Sequence, residues 1–329
     1  MVNNFFNRRH LVVLGVMLSF TLSLGVCHTL LLAQSFPSKE MELIINFSPG
    51  GSTDMMARMV GNKASKHLGV PMVFINKPGG GGAIAANFVA NAKPDGHTIG
   101  TAGASNLGTL LATGEKIPYT LKDFSGIARA AIVPMIIVAK KGRFDNFEGF
   151  VKEAKQKPGV LTFGSWGSKS TSHIVGELIN QVAGMKVKHI PFEGGAKAMT
   201  AVLGGHIDVA VATIGTTQSN LRAGTLIGLA VTTQARLDDV PDVPTMKESG
   251  YPEATFSSYD GFVTSSTVPK DRLEIIISAF EKSMKDPEVQ EGLKKTGMIP
   301  AFLRGPEYDS FLASNLELLR AVSTKAGIQ

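Results

Sequence analysis

Short apolar stretches alternate with segments of helical periodicity from residue 42 to about residue 232. In the helical segments apolar residues recur every three or four positions, as at Ile174, Leu178 and Val182. The apolar stretches predict strands at Leu43–Phe47, Met72–Ile75, Thr98–Ala102, Met135–Ala139, Leu161–Gly164, Val187–Phe192, Val209–Thr213 and Leu226–Thr232. Because these strands are apolar along almost their whole length, we expect parallel sheets covered by helices on both faces.

The C-terminal third of the chain has a different pattern. A strand-like stretch at Gly261–Ser265 is followed only by helical patterns, two of which begin at Pro287 and Pro306. Eight strands could close a barrel. However, the long strand-like segment 124–141 contains no helix, and the helical tail also breaks the rhythm. The pattern therefore favours two α/β lobes joined by two crossing segments, with a ligand cleft between the lobes.

The first 35 residues have the features of an export signal. Arg8 and Arg9 form a positive region, and the stretch from Leu11 to Leu32 is almost entirely apolar. Ala33 and Ser35 are small residues of the kind found at cleavage sites. The alternative is a retained membrane anchor, because some twenty apolar residues can span a bilayer. We expect cleavage near Ser35 and a periplasmic mature protein.

Composition narrows the functional classes. The chain has 329 residues, of which 43% are apolar and 18% charged, as in ordinary globular proteins. Its net charge is +6, but the lysines and arginines form no dense run, so nucleic-acid binding is not expected. The single cysteine, Cys27, lies inside the export segment. The mature protein therefore has neither a disulfide nor thiol chemistry.

Four turns rich in glycine or small residues follow predicted strands, at residues 49–54, 79–82, 103–106 and 164–173. Each turn could present backbone N–H groups and hydroxyls to an anion at a helix start. The simpler interpretation of any single turn is a tight strand-to-helix connection. Two hydroxyl-rich turns in opposite lobes favour anion binding, and the absence of a phosphate-binding lysine motif favours a carboxylate over a phosphate.

Catalytic and metal-binding patterns are not found. The seven histidines are scattered without zinc-ligand spacing, and neither Ser105 nor Ser165 has the flanking glycines of a nucleophile turn. Asp54 stands at a helix start, where capping is its expected role. His173 could contact a ligand or brace its own loop. We therefore expect no enzyme activity, no metal site and no cofactor.

Several segments, in this order, resemble the substrate-binding proteins of tripartite tricarboxylate transporters, also called Bug proteins. The segments are FSPGGSTD, INKPGGGGAIAANFVANAKPDGHTI, LTFGSWGSKSTSHIVGEL and HIPFEGGAKAMTAVLGGHIDV. The resemblance continues through AVTTQARLDDVPDVPTMKESGYP and KDPEVQEGLKKTGMIP. It runs from about Phe36 to the C-terminus, and the order of the segments makes it specific.

The resemblance implies a type II periplasmic binding protein fold with two doubly wound α/β sheets. We expect a signal peptide at 1–35, the first lobe at 36–131 and 256–329, and the second lobe at 132–255. Carried over by position, ligand contacts fall on Phe47, Pro49, Gly50, Gly51, Ser105, Ser165, Gly167, Thr171, His173, Gly194 and Gly195. Ser52 and Trp166 lie in the same loops and complete the predicted binding set.

Two features depart from the family pattern. Trp166 replaces a small residue in a loop expected to face the ligand, where it could stack on an aromatic acid or shrink the pocket. Ala212-Thr213 stands where many relatives carry an acid, which argues against an amino-acid ligand because an ammonium group would lack a counter-charge.

The expected function is capture of a small organic carboxylate for uptake. The implied partners are the ligand and the membrane permease subunits of a tripartite tricarboxylate-type transporter, with the receptor itself a monomer. An alternative is a sensor that signals to a membrane kinase, and another is an enzyme on a similar fold.

Overall fold

The computed structural model describes residues 36–328. Residues 39–328 belong to one compact unit, and residues 36–38 contain no helix or strand. The predicted export segment at 1–35 lies outside the described residues. None of the helices between residues 36 and 328 has both the length and the apolarity of a membrane span.

Eleven strands form two sheets within the described part of the chain. They are β1 (Met41–Ile45), β2 (Met72–Asn76), β3 (Thr98–Gly103), β4 (Phe124–Val133), β5 (Met135–Lys140), β6 (Thr162–Ser165), β7 (Lys188–Pro191), β8 (Val209–Thr213), β9 (Leu226–Val231), β10 (Ser258–Ser265) and β11 (Ile299–Arg304). The six-stranded sheet has the order β11-β4-β10-β3-β1-β2. The five-stranded sheet has the order β7-β6-β8-β5-β9.

Helices cover both sheets. They are α1 (Ser52–Leu68), α2 (Ala83–Ala90), α3 (Leu110–Ala112), α4 (Phe147–Gln156), α5 (Thr171–Ala183), α6 (Gly195–Gly204), α7 (Ile214–Arg222), α8 (Lys270–Met284), α9 (Pro287–Lys295) and α10 (Gly305–Lys325). A π-helical turn at Ser105–Thr109 runs directly into α3. Two sheets with intervening helices confirm the predicted α/β class.

The predicted parallel pairing is only partly correct. It holds among β1, β2 and β3 and among β6, β7 and β8. It is wrong for β10 and β11, which pair antiparallel in the first sheet, and for β5, which is antiparallel to β8 and β9. A strand buried on both faces is apolar whichever way it runs, so the pattern does not report direction.

The expectation of helices only after residue 265 is wrong as well, because β11 lies at Ile299–Arg304. This strand is at the edge of its sheet and contains Pro300, which reads as a break in a sequence pattern. Its residues are partly or fully exposed, so it lacks the apolar signal of the buried strands.

The chain passes between the sheets twice. Only Pro134 separates β4 from β5, and the return falls between β9 and β10. The five-stranded sheet therefore takes all its strands from residues 135–231. Helix α10 packs against both cores, since Tyr308 and Leu312 lie in the first and Ala326, just beyond its end, in the second. The predicted lobe boundaries at 131/132 and 255/256 stay a prediction.

Candidate functional site

A cavity of about 410 Å³, part of it open to solvent, lies where the two sheets face each other. It is lined by Phe47, Gly51, Ser52, Thr53, Ser105, Val133, Trp166, Gly195, Thr213, Thr216, Ser258 and Asp260. Both sheets supply lining residues, so the cavity depends on their juxtaposition.

The first wall is the turn between β1 and α1. Gly50 in this turn has φ +81°, a conformation that glycine adopts without strain. Gly51 precedes the helix with φ −80° and makes no side-chain cap. No acceptor among residues 36–328 meets the backbone N–H groups of Gly51, Ser52 or Thr53. These three donors at a helix start are thus available to an anion in the cavity.

Asp54 stabilises this turn through hydrogen bonds. Its carboxylate accepts hydrogen bonds from the Gly50 N–H at 3.0 Å, from Arg58 Nε at 3.0 Å and from Asn76 Nδ2 at 2.9 Å. Burial alone would raise the pKa of Asp54, but the bonds from Arg58, Asn76 and Gly50 together lower it. Asp54 is therefore a fixed, ionised structural group. This placement agrees with its predicted role at the helix start.

Ser52 neither caps its helix nor stands free for a ligand. Its hydroxyl hydrogen-bonds the hydroxyl of Thr213, which lies at the end of β8 in the other sheet. Thr213 Oγ1 also lies 3.1 Å from Thr216 Oγ1 in the first turn of α7. The three hydroxyls form a chain along one side of the cavity, so the start of α7 is tied to the start of α1.

Ser105 connects the two sheets on the opposite side. Its Oγ accepts a hydrogen bond from Trp166 Nε1 at 3.0 Å and another from the Thr171 backbone N–H at 3.1 Å. It also lies 3.0 Å from Thr171 Oγ1. All these atoms are buried. Ser105 is therefore a common partner of Trp166 and Thr171, which both follow β6 of the second sheet.

Trp166 closes one end of the cavity with its ring. The indole is buried and packs edge-on against Phe47, with ring centroids 6.4 Å apart. Phe47 follows β1 yet belongs to the apolar cluster of the five-stranded sheet. The two rings make the aromatic part of the lining.

His173 lies behind this wall, and it is not part of the cavity lining. Its Nδ1 accepts the Lys169 N–H at 2.9 Å, and its ring stacks on His189 with centroids 3.7 Å apart. His189 Nε2 in turn lies 2.7 Å from Ser165 Oγ. Burial lowers the pKa of His173 to about 4 and that of His189 to about 3. Both rings are neutral at physiological pH, and His173 braces its loop.

The structure brings part of the predicted binding set together. Six of the thirteen residues line the cavity: Phe47, Gly51, Ser52, Ser105, Trp166 and Gly195. The other seven do not line it in this structure: Pro49, Gly50, Ser165, Gly167, Thr171, His173 and Gly194. Those with assigned bonds are used internally, since Gly50 donates to Asp54 and Ser165 donates to the Gly167 carbonyl. Direct ligand contact by any of the thirteen stays a prediction.

Six lining residues were not predicted from the sequence: Thr53, Val133, Thr213, Thr216, Ser258 and Asp260. Asp260 carries the clearest signal, because an acid inside the apolar stretch SYDGFV of β10 is unusual in a buried strand. It is 7% exposed, and its Oδ2 accepts a hydrogen bond from Thr53 Oγ1 at 2.8 Å. Burial raises the pKa of Asp260 to about 7, although the Thr53 bond opposes this.

The electrostatics of the cavity follow from this set. Its lining contains no Lys, Arg or His side chain among the described residues, and Asp260 is its one ionisable group. An anion bound here would be held by helix starts and hydroxyls and not by a cation. Charge-assisted bonds from N–H groups at a helix start are stronger than neutral hydrogen bonds and can serve this purpose.

Comparison with known proteins shows which family the chain matches. The family described as "Tripartite tricarboxylate transporter family receptor" (TctC) matches residues 56–328. A Cupriavidus necator protein, "UPF0065 protein in gbd 5'region", is 30% identical over 331 residues, which cover 98% of both chains.

Two solved structures share the fold. MatC from Rhodopseudomonas palustris with bound malate has a TM-score of 0.83 and 25% identity, over 88% of this chain and 100% of that one. The periplasmic binding protein BugD also has a TM-score of 0.83, with 26% identity over 89% of this chain and 99% of its own. BugD is a periplasmic binding protein, and the fold that this chain shares with both structures confirms the predicted two-lobed type II class. The match to a receptor family confirms the expectation that the chain is not an enzyme. The chain belongs to the TctC family of tripartite tricarboxylate transporter receptors.

Proposed function

We propose that this protein is a periplasmic receptor that captures a small carboxylate and delivers it to the membrane subunits of a tripartite tricarboxylate-type transporter. The observation that carries the proposal is the set of N–H donors at Gly51, Ser52 and Thr53, which have no acceptor among residues 36–328, in a cavity whose described lining has no cationic side chain. Family membership and the malate-bound relative support the same ligand class. The receptor acts as a monomer, is exported by the segment at 1–35 and needs no cofactor.

Capture depends on closure of the two lobes, 36–131 with 256–329 against 132–255. Several hydrogen bonds cross the cleft besides those of Ser52 and Ser105. Ser48 Oγ donates to the Glu193 carbonyl at 2.6 Å, and Thr109 Oγ1 donates to the Lys169 carbonyl at 2.8 Å. These bonds form only when the sheets approach, so they stabilise the closed form around a ligand.

A carboxylate and its neutral amide separate anion binding from simple cavity filling. We expect the acid to bind at least tenfold more tightly than its amide, roughly 1.4 kcal/mol. The reason is that N–H groups at a helix start bind a charged oxygen more strongly than a neutral one. Isothermal titration calorimetry with each ligand of the pair measures the difference.

The acid for this titration comes from a thermal-shift screen of mono-, di- and tricarboxylates. A ligand at 100 times its dissociation constant adds about 2.7 kcal/mol to the free energy of unfolding. Equal affinity for acid and amide would show that the helix starts do not select an anion. A screen without any stabilising carboxylate would contradict the proposed function.

A further inference from the structure

Asp260 is difficult to reconcile with a ligand that carries only negative charge. Its carboxyl group lies in the cavity lining, and its Oδ2 takes a single hydrogen bond, from Thr53. No cationic side chain among residues 36–328 forms an ion pair with it. A ligand carboxylate at the helix start would therefore share a small cavity with a second acid. Two like charges at close range repel each other.

The fold provides room for the Asp260 side chain. Residue 103 lies opposite Asp260 in the pairing of β10 with β3, and it is a glycine. A Cβ at position 103 would come within 2.4 Å of Asp260 Oδ1 and within 2.4 Å of the Tyr259 carbonyl. Among the described residues no donor meets Oδ1. This oxygen is a free acceptor next to the ligand space.

The aromatic lining also favours a positive group. Phe47 and Trp166 both line the cavity, and a cation that lies over an aromatic ring is attracted to it. The cavity thus combines a free carboxylate oxygen and two aromatic rings with a cluster of N–H donors at the start of α1.

Resting on the proposed function, we propose that the ligand is an amino carboxylate whose ammonium group binds Asp260 while its carboxylate binds the helix start at Gly51–Thr53. An ammonium between the two anions attracts both and lowers their combined charge from −2 to −1, which a bare carboxylate cannot do. Asp260 of β10 then supplies the counter-charge that the end of β8, at Ala212-Thr213, lacks.

The other titratable groups around Asp260 do not change this assignment. Burial raises the pKa values of Tyr259 and Tyr308, so both are neutral at physiological pH. The Arg129 charge opposes these tyrosine shifts from β4, but its guanidinium packs over Phe311. Asp260 is thus the group whose proton occupancy responds to a ligand in the cavity.

Matched ligand pairs test the proposal with the unmodified protein. Calorimetry compares L-aspartate with succinate, L-glutamate with glutarate, and L-leucine with 4-methylpentanoate. We expect at least one amino acid to bind tenfold or more tightly than its partner without the amino group. Bare carboxylates that bind while their amino partners do not would overturn this inference and leave the proposed function intact. Absence of binding by all six would overturn this inference, whereas the proposed function fails only if the wider carboxylate screen finds no ligand.

Proton exchange gives a second readout that needs no variant. With the pKa of Asp260 near 7, part of the population is protonated at pH 7. An incoming ammonium favours the ionised form, so binding should release a fraction of a proton. A bare carboxylate would favour the protonated form and cause proton uptake. Calorimetry in two buffers of different ionisation enthalpy gives the sign, and uptake on amino-acid binding would overturn the proposal.

Asp260→Asn removes the charge at nearly constant volume. We expect this variant to bind the amino acid at least tenfold more weakly than the wild type does. It should also lose the preference for the amino acid over the matched acid that lacks the amino group. Asp309→Asn is the matched control, because Asp309 is an acid with a raised pKa that accepts the Gly126 N–H at 2.7 Å away from the cavity. The control should bind like the wild type. Retention of the full amino-acid preference by a folded Asp260→Asn variant would contradict the assignment.

Discussion

Replacement of Ser105 by alanine is expected to weaken ligand binding about thirtyfold, or roughly 2 kcal/mol. Alanine removes the acceptor of both the Trp166 indole N–H and the Thr171 backbone N–H, each buried in this structure. A buried donor without a partner costs about 1–3 kcal/mol. Because these bonds cross the cleft, the loss should appear mainly in affinity, with a smaller change in the melting temperature without ligand.

Trp166→Phe identifies the source of the Ser105 effect. Phenylalanine fills most of the indole space but has no N–H that needs an acceptor. The double variant Ser105→Ala with Trp166→Phe should therefore lose less affinity than the sum of the single variants. Additive losses in this double-mutant cycle, or an unchanged affinity of Ser105→Ala, would show that the bond does not hold the closed form.

Gly215→Ala is expected to weaken binding by a similar factor without destabilising the ligand-free protein. Gly215 lies in the first turn of α7, and alanine is the more favourable helix residue there. In this structure, however, its Cβ would lie 2.6 Å from the Thr296 carbonyl and 2.8 Å from Ser52 Oγ, both across the cleft. Such overpacking costs about 1–3 kcal/mol and arises only when the cleft closes.

Gly149→Ala is the control for Gly215→Ala. Gly149 lies in α4, which, like α7, belongs to the part of the chain that forms the five-stranded sheet. A Cβ at Gly149 would meet only Asn146 Oδ1, at an ordinary contact distance of 3.5 Å. Titration calorimetry should show wild-type affinity for this variant, and thermal melts without ligand should show neither variant less stable than the wild type. If the Gly215→Ala and Gly149→Ala variants bound the ligand equally tightly, the proposed closure of the cleft at the Gly215 contact would be contradicted.

Much of the fold could be predicted from local pattern. A buried strand such as β8 (VAVAT) can be predicted from its continuous run of apolar residues. The alternation of such strands with helical segments predicts the α/β class. The local pattern does not contain the pairing of strands that lie far apart in the sequence. Whether β10 runs parallel or antiparallel to β3 depends on where the chain returns, and β11 is an edge strand with a proline and little burial.

The residues of the candidate site also fall into two groups, those that the local sequence predicts and those that only the fold brings together. Turns that follow a strand and start a helix are visible in sequence, and those at Gly51, Ser105 and Gly195 do line the cavity. The pairing of Thr53 with Asp260 is not visible, because the two residues are 207 positions apart. The sequence also does not show which glycine of the first turn has the positive φ, and in the structure it is Gly50, whereas Gly51 has φ −80°.

The central claim is that the N–H groups of Gly51, Ser52 and Thr53 bind the ligand carboxylate. Proton–nitrogen NMR of the ¹⁵N-labelled protein, titrated with a carboxylate selected by the thermal-shift screen, observes these groups directly. We predict that their amide protons shift strongly downfield on saturation and shift much less with the amide analogue, because a charge-assisted hydrogen bond polarises the N–H. Saturable binding that leaves all three resonances unchanged would contradict the account.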